Sequence, residues 1–158
     1  MKISVITAAY NSEATVGEAI ASVAAQTYPD VEHLVVEGNS DDGTFDAIKR
    51  AGHDRMRLIS EPDDGIYDAL NKGVRNATGD VVGFIHSDDF LAHDGVLSRI
   101  AAAFDDPAVE AVFSDLVYVS QADTSRVIRH WSTGAFHPRR LKYGWMPAHP
   151  TLYLRREV

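Results

Sequence analysis

The chain has 158 residues, no cysteine and a formal net charge of −8, with 15 Lys and Arg against 23 Asp and Glu. This length suits one domain, and the lack of cysteine excludes a disulfide framework, a thiolate metal site and a cysteine nucleophile. There is no basic footprint for nucleic acid and no apolar run near the ~18 residues of a membrane span, so we expect a cytoplasmic protein for which peripheral membrane contact stays open.

Strand-like apolar runs alternate with amphipathic segments through residue 114. The third helix, predicted over residues 66–77, is expected to bury one stripe formed by Tyr67, Leu70, Val74 and Ala77. Because a helix separates successive strands, the pattern predicts an α/β fold with a mainly parallel sheet and helices on both faces. The predicted strands cover residues 3–8, 31–37, 56–60, 81–85 and 111–114.

The pattern changes after residue 114. Residues 116–120 and 126–131 are predicted to pair as a short antiparallel unit around the turn 121–124. Residues 132–150 have no periodicity and are predicted to form a long loop. The strand-like stretch before Val158 is followed by no closing helix, so a chain truncated at its C-terminus is expected as the alternative to a complete one.

Two adjacent carboxylates follow the fourth predicted strand. Asp88 and Asp89 come shortly after the apolar run Val-Val-Gly-Phe-Ile, and two like charges ~4 Å apart repel by roughly 4 kcal/mol at an effective dielectric of ~20. A hard divalent cation would remove this repulsion. Asp94 is available to cap the next helix, so the pair is not needed there. Since strand carboxyl ends bind ligands in open α/β sheets, the pair predicts a metal and a phosphate-bearing ligand.

Other strand ends carry polar residues as well. For Asp41 and Asp42, turn formation is the favoured alternative to a binding role. In the third helix, Asn71 and Lys72 either face the ligand or lie on a solvated face where Asp68 pairs with Lys72. Dinucleotide-binding, P-loop and GxSxG motifs are absent, which argues against those classes. The remaining polar residues at strand ends are Thr7, Tyr10, Asn11, Glu37, Asn39, Asp63, Asp64 and His86.

Four segments in this order resemble the family 2 glycosyltransferases: ISVITAAYN, VEHLVVEGNSDDGT, DGIYDALNKGVRNATGD and VVGFIHSDD. The tail from Pro147 to Arg156 is similar to members that build bacterial polysaccharides. The resemblance implies a single GT-A domain over residues 1–158, with residues 1–100 as the nucleotide-sugar-binding half and residues 101–158 as the start of the acceptor-side half. It further implies sugar transfer from a nucleoside-diphosphate donor to a saccharide or lipid-linked acceptor hydroxyl, with inversion at the anomeric carbon.

The resemblance also implies residue roles. Asp89 is expected to bind Mg²⁺ or Mn²⁺, and Asp88 to contact the ribose or the metal. The general base of the family lies in a later segment than the matched motifs, so within this chain Asp115 is the candidate and His149 a weaker one. The remaining nucleotide-binding residues are expected to be Thr7, Ala8 and Tyr10 beside the base and ribose, Glu37 on the base, and Asn71 and Lys72 in the motif helix.

Two residues depart from the family pattern. Glu37 stands where Asp is usual, and the added methylene is expected to alter nucleotide preference. His86 stands where many members carry Asp or Asn, which leaves fewer carboxylates for the cation. Two other functions stay open as alternatives. One is a non-catalytic nucleotide-sugar-binding module. The other is a sugar nucleotidyltransferase, disfavoured because the loop after the first strand is neither basic nor rich in glycine.

Overall fold

The computed structural model describes every residue from 1 to 158. Its strands are Ile3–Ala9 (β1), Val31–Glu37 (β2), Met56–Ser60 (β3), Val81–Phe84 (β4), Ala111–Val112 (β5), Leu116–Ser120 (β6), Asp123–Trp131 (β7) and Tyr153–Arg155 (β8). Its helices are Val16–Ala24 (α1), Thr44–Ala51 (α2), Ile66–Asn76 (α3), Val96–Ala103 (α4) and Pro138–Leu141 (α5), and His149–Thr151 forms a 3₁₀ turn. No helix is long and apolar enough to cross a membrane.

Strand β1 lies inside a six-stranded sheet of order β3-β2-β1-β4-β8-β5. It runs parallel to β2 and β4, and β2 runs parallel to β3, which confirms the mainly parallel sheet. Strand β8 lies between β4 and β5 and is antiparallel to both. The fifth strand is shorter than predicted, since β5 pairs with β8 only at residues 111 and 112.

The helices cover both faces of the sheet, as predicted. One face packs α1 and α4 against β1, with Ile3, Val5 and Leu97 among its fully buried side chains. The opposite face packs α3 against β1 and β2 around Ile6 and Leu34. Alternate residues of β1 therefore enter two different cores, which is why the strand is apolar almost throughout.

The predicted buried stripe of α3 is wrong at Tyr67 and Val74, whereas Ala77 is buried and Leu70 packs against the core, as predicted. Tyr67 is 80% exposed and Val74 39% exposed, whereas the buried helix positions are Ala69 and Gly73. A methyl group on Gly73 would overlap the side chain of Ile6. The helix therefore buries the face with its smallest residues, because close approach to β1 leaves no room for larger ones.

Asp94 does not cap α4, contrary to prediction. The N-terminal cap residue is Gly95, with no side-chain hydrogen bond to the helix. The carbonyl oxygen of Asp94 instead accepts hydrogen bonds from the backbone nitrogen and hydroxyl of Thr27, which tie this loop to the end of α1. Neither Asp94 nor the pair Asp88 and Asp89 is the cap residue of α4, which is Gly95.

The antiparallel pair after residue 114 is confirmed. Strands β6 and β7 form a separate two-stranded sheet that pairs Leu116 with Trp131 and Tyr118 with Arg129. Strand β7 begins earlier than predicted, at Asp123, so the turn is shorter. The segment 132–150 is mostly irregular, as predicted, apart from α5 and the start of the 3₁₀ turn.

Two histidine rings stack on each other: His33, a residue of β2, and His53, which precedes β3. His33 is fully buried, and its Nε2 lies 3.1 Å from the hydroxyl of Thr7. Its Nδ1 lies 3.2 Å from Nε2 of His53, with the ring centroids 5.4 Å apart. Burial lowers the pKa of His33 to about 3, with smaller contributions from the nearby charges of His53 and Arg55. The ring is therefore neutral in the folded protein at physiological pH.

We expect the free energy of unfolding to fall as the pH is lowered from about 7 to 5. The unfolded chain binds a proton at each histidine near pH 6.5, while the folded chain holds His33 neutral down to about pH 3. Each such group weakens folding by up to ~1.4 kcal/mol per pH unit in this window. Urea titrations across the range should show a flatter dependence for His33→Gln, and an unchanged slope in that variant would contradict this account.

Candidate functional site

The carboxyl ends of the first three strands meet at one edge of the sheet. Gly38, the residue after β2, lies between Tyr10 and Asp63. A Cβ atom added to Gly38 would lie 2.5 Å from Oδ2 of Asp63 and 3.3 Å from Cδ2 of Tyr10. A side chain at this position would have to displace the Asp63 carboxylate, so the loops that follow β1, β2 and β3 are in direct contact, as expected for parallel strands.

An open depression of about 740 Å³ lies between the ends of β1 and β4. Two predicted site residues, Tyr10 and Asp88, both line it. Asn11, at the bend with φ of 46°, accepts a hydrogen bond from the backbone nitrogen of Asp41 and donates one to Ser40, which fixes this wall to the loop after β2. The lining residues are Tyr10, Asn11, Ser12, Glu13, Ala14, Thr15, Asp42, Ser87 and Asp88.

The two carboxylates after β4 differ in environment. Asp88 is exposed at the wall of the depression, whereas Asp89 is partly buried. Burial raises the pKa of the Asp89 carboxyl above its usual range, the Asp88 carboxylate adds to this shift, and His86 and His149 oppose it in part. Holding Asp89 ionised therefore costs free energy, and a cation placed beside it would offset that cost.

A histidine pair adjoins the carboxylates. Nε2 of His86 lies 2.8 Å from Nε2 of His149, and the rings meet at an interplanar angle of 60°. Burial lowers the pKa of His86, His149 adds to this shift, and both aspartates oppose it. Nδ1 of His86 is buried and has no hydrogen-bond partner. The pair joins the 3₁₀ turn before β8 to the end of β4, a contact between residues 63 positions apart.

The residues around Asp89 fit a divalent cation that is held by few protein ligands and completed by a bound phosphate. No group of three or more His, Asp and Glu side chains converges as a closed metal cage. Mg²⁺, however, is commonly held by one or two carboxylates while substrate phosphates and water complete its coordination. Asp88 and Asp89 beside an open depression match that arrangement, because a phosphate-bearing ligand can approach them from the depression.

Glu37 is buried at the end of β2, with 1% of its surface exposed. Its Oε1 accepts a hydrogen bond of 2.6 Å from the backbone nitrogen of Ser40, and its Oε2 accepts one of 2.6 Å from the hydroxyl of Ser60. Burial alone would raise the pKa of Glu37, but these hydrogen bonds outweigh it and hold the pKa below its usual value. Glu37 thus fastens the loop after β2 to the end of β3.

The other predicted nucleotide-binding residues differ in their burial and in their hydrogen-bond partners. Thr7 and Ala8 are buried, and the hydroxyl of Thr7 is engaged with His33. Asn71 is exposed on α3. Lys72 donates to the carbonyl of Pro62 at 2.6 Å and forms ion pairs of 3.2 Å with both Glu61 and Asp68. The i, i+4 pair with Asp68, one of the two alternatives for Lys72, is therefore present.

Asp115 lies immediately before β6 and is not among the residues that line the depression. Its Oδ1 accepts a hydrogen bond of 2.7 Å from the backbone nitrogen of Thr133, and its Oδ2 accepts one of 3.2 Å from the hydroxyl of Ser132. Both oxygens therefore join the two ends of the β6–β7 ribbon. This geometry is typical of a structural tie, and the assignment of Asp115 as general base stays a prediction.

Three features of the site could not be assigned from the sequence. No role is predicted for Asp63, although it packs over Gly38 beside Tyr10. The partners of Glu37 are two inconspicuous serines, Ser40 in the loop after β2 and Ser60 at the end of β3. The contact between His86 and His149 depends on the insertion of β8 next to β4. The Gly-Asn-Ser run after β2 is the one local signal for the tight turn, and Asn39 there has a φ of 61°.

Comparison with known proteins identifies the fold and the family. The sequence profile described as "Glycosyl transferase family 2" matches residues 4–155. A PGL/p-HBAD biosynthesis glycosyltransferase of Mycobacterium bovis is 34% identical over 156 residues, which cover 97% of this chain and 59% of that protein. An uncharacterised glycosyltransferase of Nostoc sp. is 35% identical over 127 residues, which cover 78% of this chain and 39% of that protein. The chain thus spans less than two thirds of the length of these relatives.

Solved structures agree in fold. A mannosyltransferase of Pyrobaculum calidifontis in complex with GDP-Man and Mn²⁺ superposes with a TM-score of 0.74 at 23% identity, covering 99% of this chain and 45% of that one. TarS of S. aureus in complex with UDP-GlcNAc gives a TM-score of 0.75 at 22% identity, with coverage of 99% and 46%. These neighbours have the GT-A fold, so the predicted fold class is confirmed. The chain belongs to glycosyl transferase family 2.

Proposed function

We propose that this chain is the nucleotide-sugar-binding part of a metal-dependent, inverting glycosyltransferase. The observation that carries the proposal is the pair Asp88 and Asp89 at the end of β4. One carboxylate lines an open depression, and the other has a pKa raised by burial and by its neighbour. A cation that bridges these carboxylates to a diphosphate would relieve this electrostatic cost.

The donor is proposed to be a nucleoside-diphosphate sugar. Support comes from the solved neighbours, whose complexes contain GDP-Man, UDP-GlcNAc, or UDP with Mn²⁺. In this chain, Tyr10 and Asp88 on the walls of the depression would contact the nucleoside, and Asp89 would ligate the cation, with Asp88 as a second ligand or a ribose contact. The cation itself, Mg²⁺ or Mn²⁺, would stabilise the negative charge that develops on the departing diphosphate.

The remaining predicted residues are proposed to shape the nucleotide site. Thr7 and Ala8, which are buried near the end of β1, would support the site from below. Glu37 positions the loop after β2 through Ser40 and Ser60, and we assign it this positioning role in addition to the base contact implied by the family pattern. Asn71 and Lys72 border the site from α3, with Lys72 fixing the loop that carries Asp63.

The hydrogen bonds of Asp115 favour a structural role for this residue over that of general base. A base must take the acceptor proton within hydrogen-bond reach. Both oxygens of Asp115 already accept hydrogen bonds from Ser132 and Thr133. We therefore propose that Asp115 holds the β6–β7 ribbon in place and that proton removal is performed by another group.

The acceptor is proposed to be a saccharide or a lipid-linked molecule, in the synthesis of a polysaccharide or glycoconjugate. The name of the mycobacterial relative, which refers to PGL/p-HBAD biosynthesis, supports a role in glycoconjugate synthesis. We propose a cytoplasmic location at the inner face of the membrane, where such acceptors are available. Because the chain spans 59% of that relative, these statements concern the activity of the whole protein.

A non-catalytic nucleotide-sugar-binding module is the second candidate. It is favoured by the hydrogen bonds that both oxygens of Asp115 accept, because they favour a structural role for the first candidate for the general base. A sugar nucleotidyltransferase is the third and weakest candidate. The loop after β1 has no Lys or Arg and no glycine until Gly17, so it offers no cradle for a triphosphate.

We expect Asp89→Asn to abolish the Mn²⁺-dependent part of nucleotide binding, because the neutral amide removes the charge that holds the cation. Calorimetric titration of UDP and GDP, with and without Mn²⁺, measures this difference. Asp41→Asn is the matched control, since Asp41 is an exposed acid on the loop after β2. Equal affinity of wild type and Asp89→Asn for the Mn²⁺–nucleotide complex would contradict the metal assignment.

We expect Asp115→Asn to leave the rate of donor turnover within ~3-fold of wild type, since removal of a general base costs 10²–10⁴-fold. The asparagine oxygen can still accept the hydrogen bond from Thr133. Asp115→Ala, which removes both acceptors, should instead loosen the ribbon and lower the melting temperature. Donor consumption in the presence of Mn²⁺ measures the rate. A loss of 100-fold or more in Asp115→Asn, with the fold intact, would identify Asp115 as the base after all.

A further inference from the structure

Asp63, in the loop after β3, uses only one of its two carboxylate oxygens within the fold. Oδ1 accepts a hydrogen bond of 2.9 Å from the backbone nitrogen of Gly65, the N-terminal cap residue of α3. No hydrogen bond or ion pair of the chain uses Oδ2, which faces Gly38 instead. Asp63 therefore holds a free hydrogen-bond acceptor at the carboxyl edge of the sheet, in an orientation that Gly65 fixes.

The free oxygen lies beside an aromatic ring. A Cβ atom built on Gly38 would lie 2.5 Å from Oδ2 of Asp63 and 3.3 Å from Cδ2 of Tyr10. Because both atoms lie close to the same point, the carboxylate and the ring are neighbours across the Gly38 backbone. Tyr10 also lines the open depression, and aromatic side chains stack on nucleobases whatever the identity of the base. The two residues together therefore offer a stacking surface and an acceptor.

The loop that carries Asp63 is fixed on both sides. The backbone nitrogen of Glu61 donates a hydrogen bond of 3.1 Å to the carbonyl of Glu37, and the ammonium of Lys72 donates one of 2.6 Å to the carbonyl of Pro62. All the contacts that place Oδ2 come from residues 10–72, so they do not involve the later segments of the chain. A fixed acceptor discriminates between ligands, because a ligand without a matching donor leaves it unpaired.

We propose that Asp63 selects nucleobases that carry a hydrogen on the ring nitrogen of their Watson–Crick edge, as uracil and guanine do. The inference rests on the proposed binding of a nucleoside-diphosphate sugar and names the property of its base. Oδ2 accepts the ring N–H while the base stacks on Tyr10. Cytosine and adenine present a lone pair on the corresponding nitrogen, which an acceptor-only carboxylate repels.

Asp63 is better placed for this contact than Glu37. Glu37 is buried, and both of its oxygens already accept hydrogen bonds, from Ser40 and Ser60. A base can reach Oδ2 of Asp63 without breaking any hydrogen bond of the fold. Asp63 thus adds a free acceptor beside the position to which the family pattern assigns the base contact.

Asparagine at position 63 separates base selection from a purely structural role. Its amide oxygen can keep the hydrogen bond from the backbone nitrogen of Gly65, and the amide nitrogen then takes the place of Oδ2. The shape of the side chain and the start of α3 are kept. The group that faces the base changes from an acceptor to a donor, which now matches the lone pair of cytosine and adenine.

The test is calorimetric titration of UDP, CDP, GDP and ADP in the presence of Mn²⁺. We expect wild type to prefer UDP over CDP, and GDP over ADP, by roughly tenfold or more, since a hydrogen bond to a charged group contributes at least this factor. Asp63→Asn should abolish or invert both preferences. The UDP and GDP titrations also show which of the two ring systems the site accepts.

Asp64→Asn is the matched control. It makes the same change of charge at the next residue, which is exposed and whose carboxylate forms no hydrogen bond or ion pair. We expect both base preferences of this variant to stay within about twofold of wild type, as for surface substitutions that remove no contact. Inorganic pyrophosphate with Mn²⁺ is titrated against every variant, because it reports binding at Asp88 and Asp89 without a base.

Three results would overturn the inference while pyrophosphate still binds. The first is a wild type without base preference, or a preference that Asp63→Asn leaves unchanged. The second is equal weakening of all four nucleotides in Asp63→Asn with a lower melting temperature, which would leave Asp63 a structural role only. The third is the same loss of preference in Asp64→Asn. If neither pyrophosphate nor any nucleotide binds wild type with Mn²⁺, the proposed sugar-nucleotide site fails as well.

Discussion

Two carboxylates held side by side at the end of a buried strand are the constraint around which this site is organised. Strand β4 lies between β1 and β8, and the ring of Tyr153 in β8 packs directly over Gly83. The chain leaves the strand into a loop where Asp89 is partly buried beside Asp88. The repulsion between them is therefore built into the backbone path and is relieved most simply by a cation.

The surrounding loops are tied to one another before any ligand arrives. Glu37 connects the loop after β2 to Ser60, Asn11 connects the end of β1 to the same loop, and Lys72 connects α3 to the loop after β3. Each tie uses a charged or amide group. Supporting hydrogen bonds of this kind preorganise a binding site. They also explain why several polar residues of the edge are better suited to positioning than to direct contact.

Much of the fold follows from local sequence pattern. The alternation of apolar runs and amphipathic segments is sufficient for the parallel sheet, and the β6–β7 pair follows from its alternating residues. The errors arise where packing overrides pattern. Tyr67 and Val74 have helical spacing with Leu70, yet they are exposed, and α3 instead buries Ala69 and Gly73, where Ile6 lies too close to Gly73 for any side chain. Asp94 has the chemistry of a cap, but its carbonyl binds Thr27 instead.

The part of the candidate site that lies at strand ends could be predicted from the sequence. Asp88 and Asp89 stand out because they are adjacent acids shortly after an apolar strand. Two other features could not be predicted: the hydrogen bonds of Glu37 with Ser40 and Ser60, and the pairing of His86 with His149. These contacts are formed by the tertiary fold, and the local sequence pattern does not indicate them. The placement of β8 is the main reason why the histidine contact could not be predicted. This strand near the C-terminus enters the sheet between β4 and β5 and brings His149 to the carboxylates.

The most direct test of the central claim is a crystal structure of the chain grown with Mn²⁺ and a nucleoside diphosphate, with the metal located by its anomalous scattering. The account predicts one strong peak about 2.1 Å from a carboxylate oxygen of Asp89 and from oxygens of the diphosphate, a distance typical of small divalent cations on oxygen ligands. A nucleotide bound elsewhere, or bound in the depression with neither Asp88 nor Asp89 within reach of the metal, would contradict it.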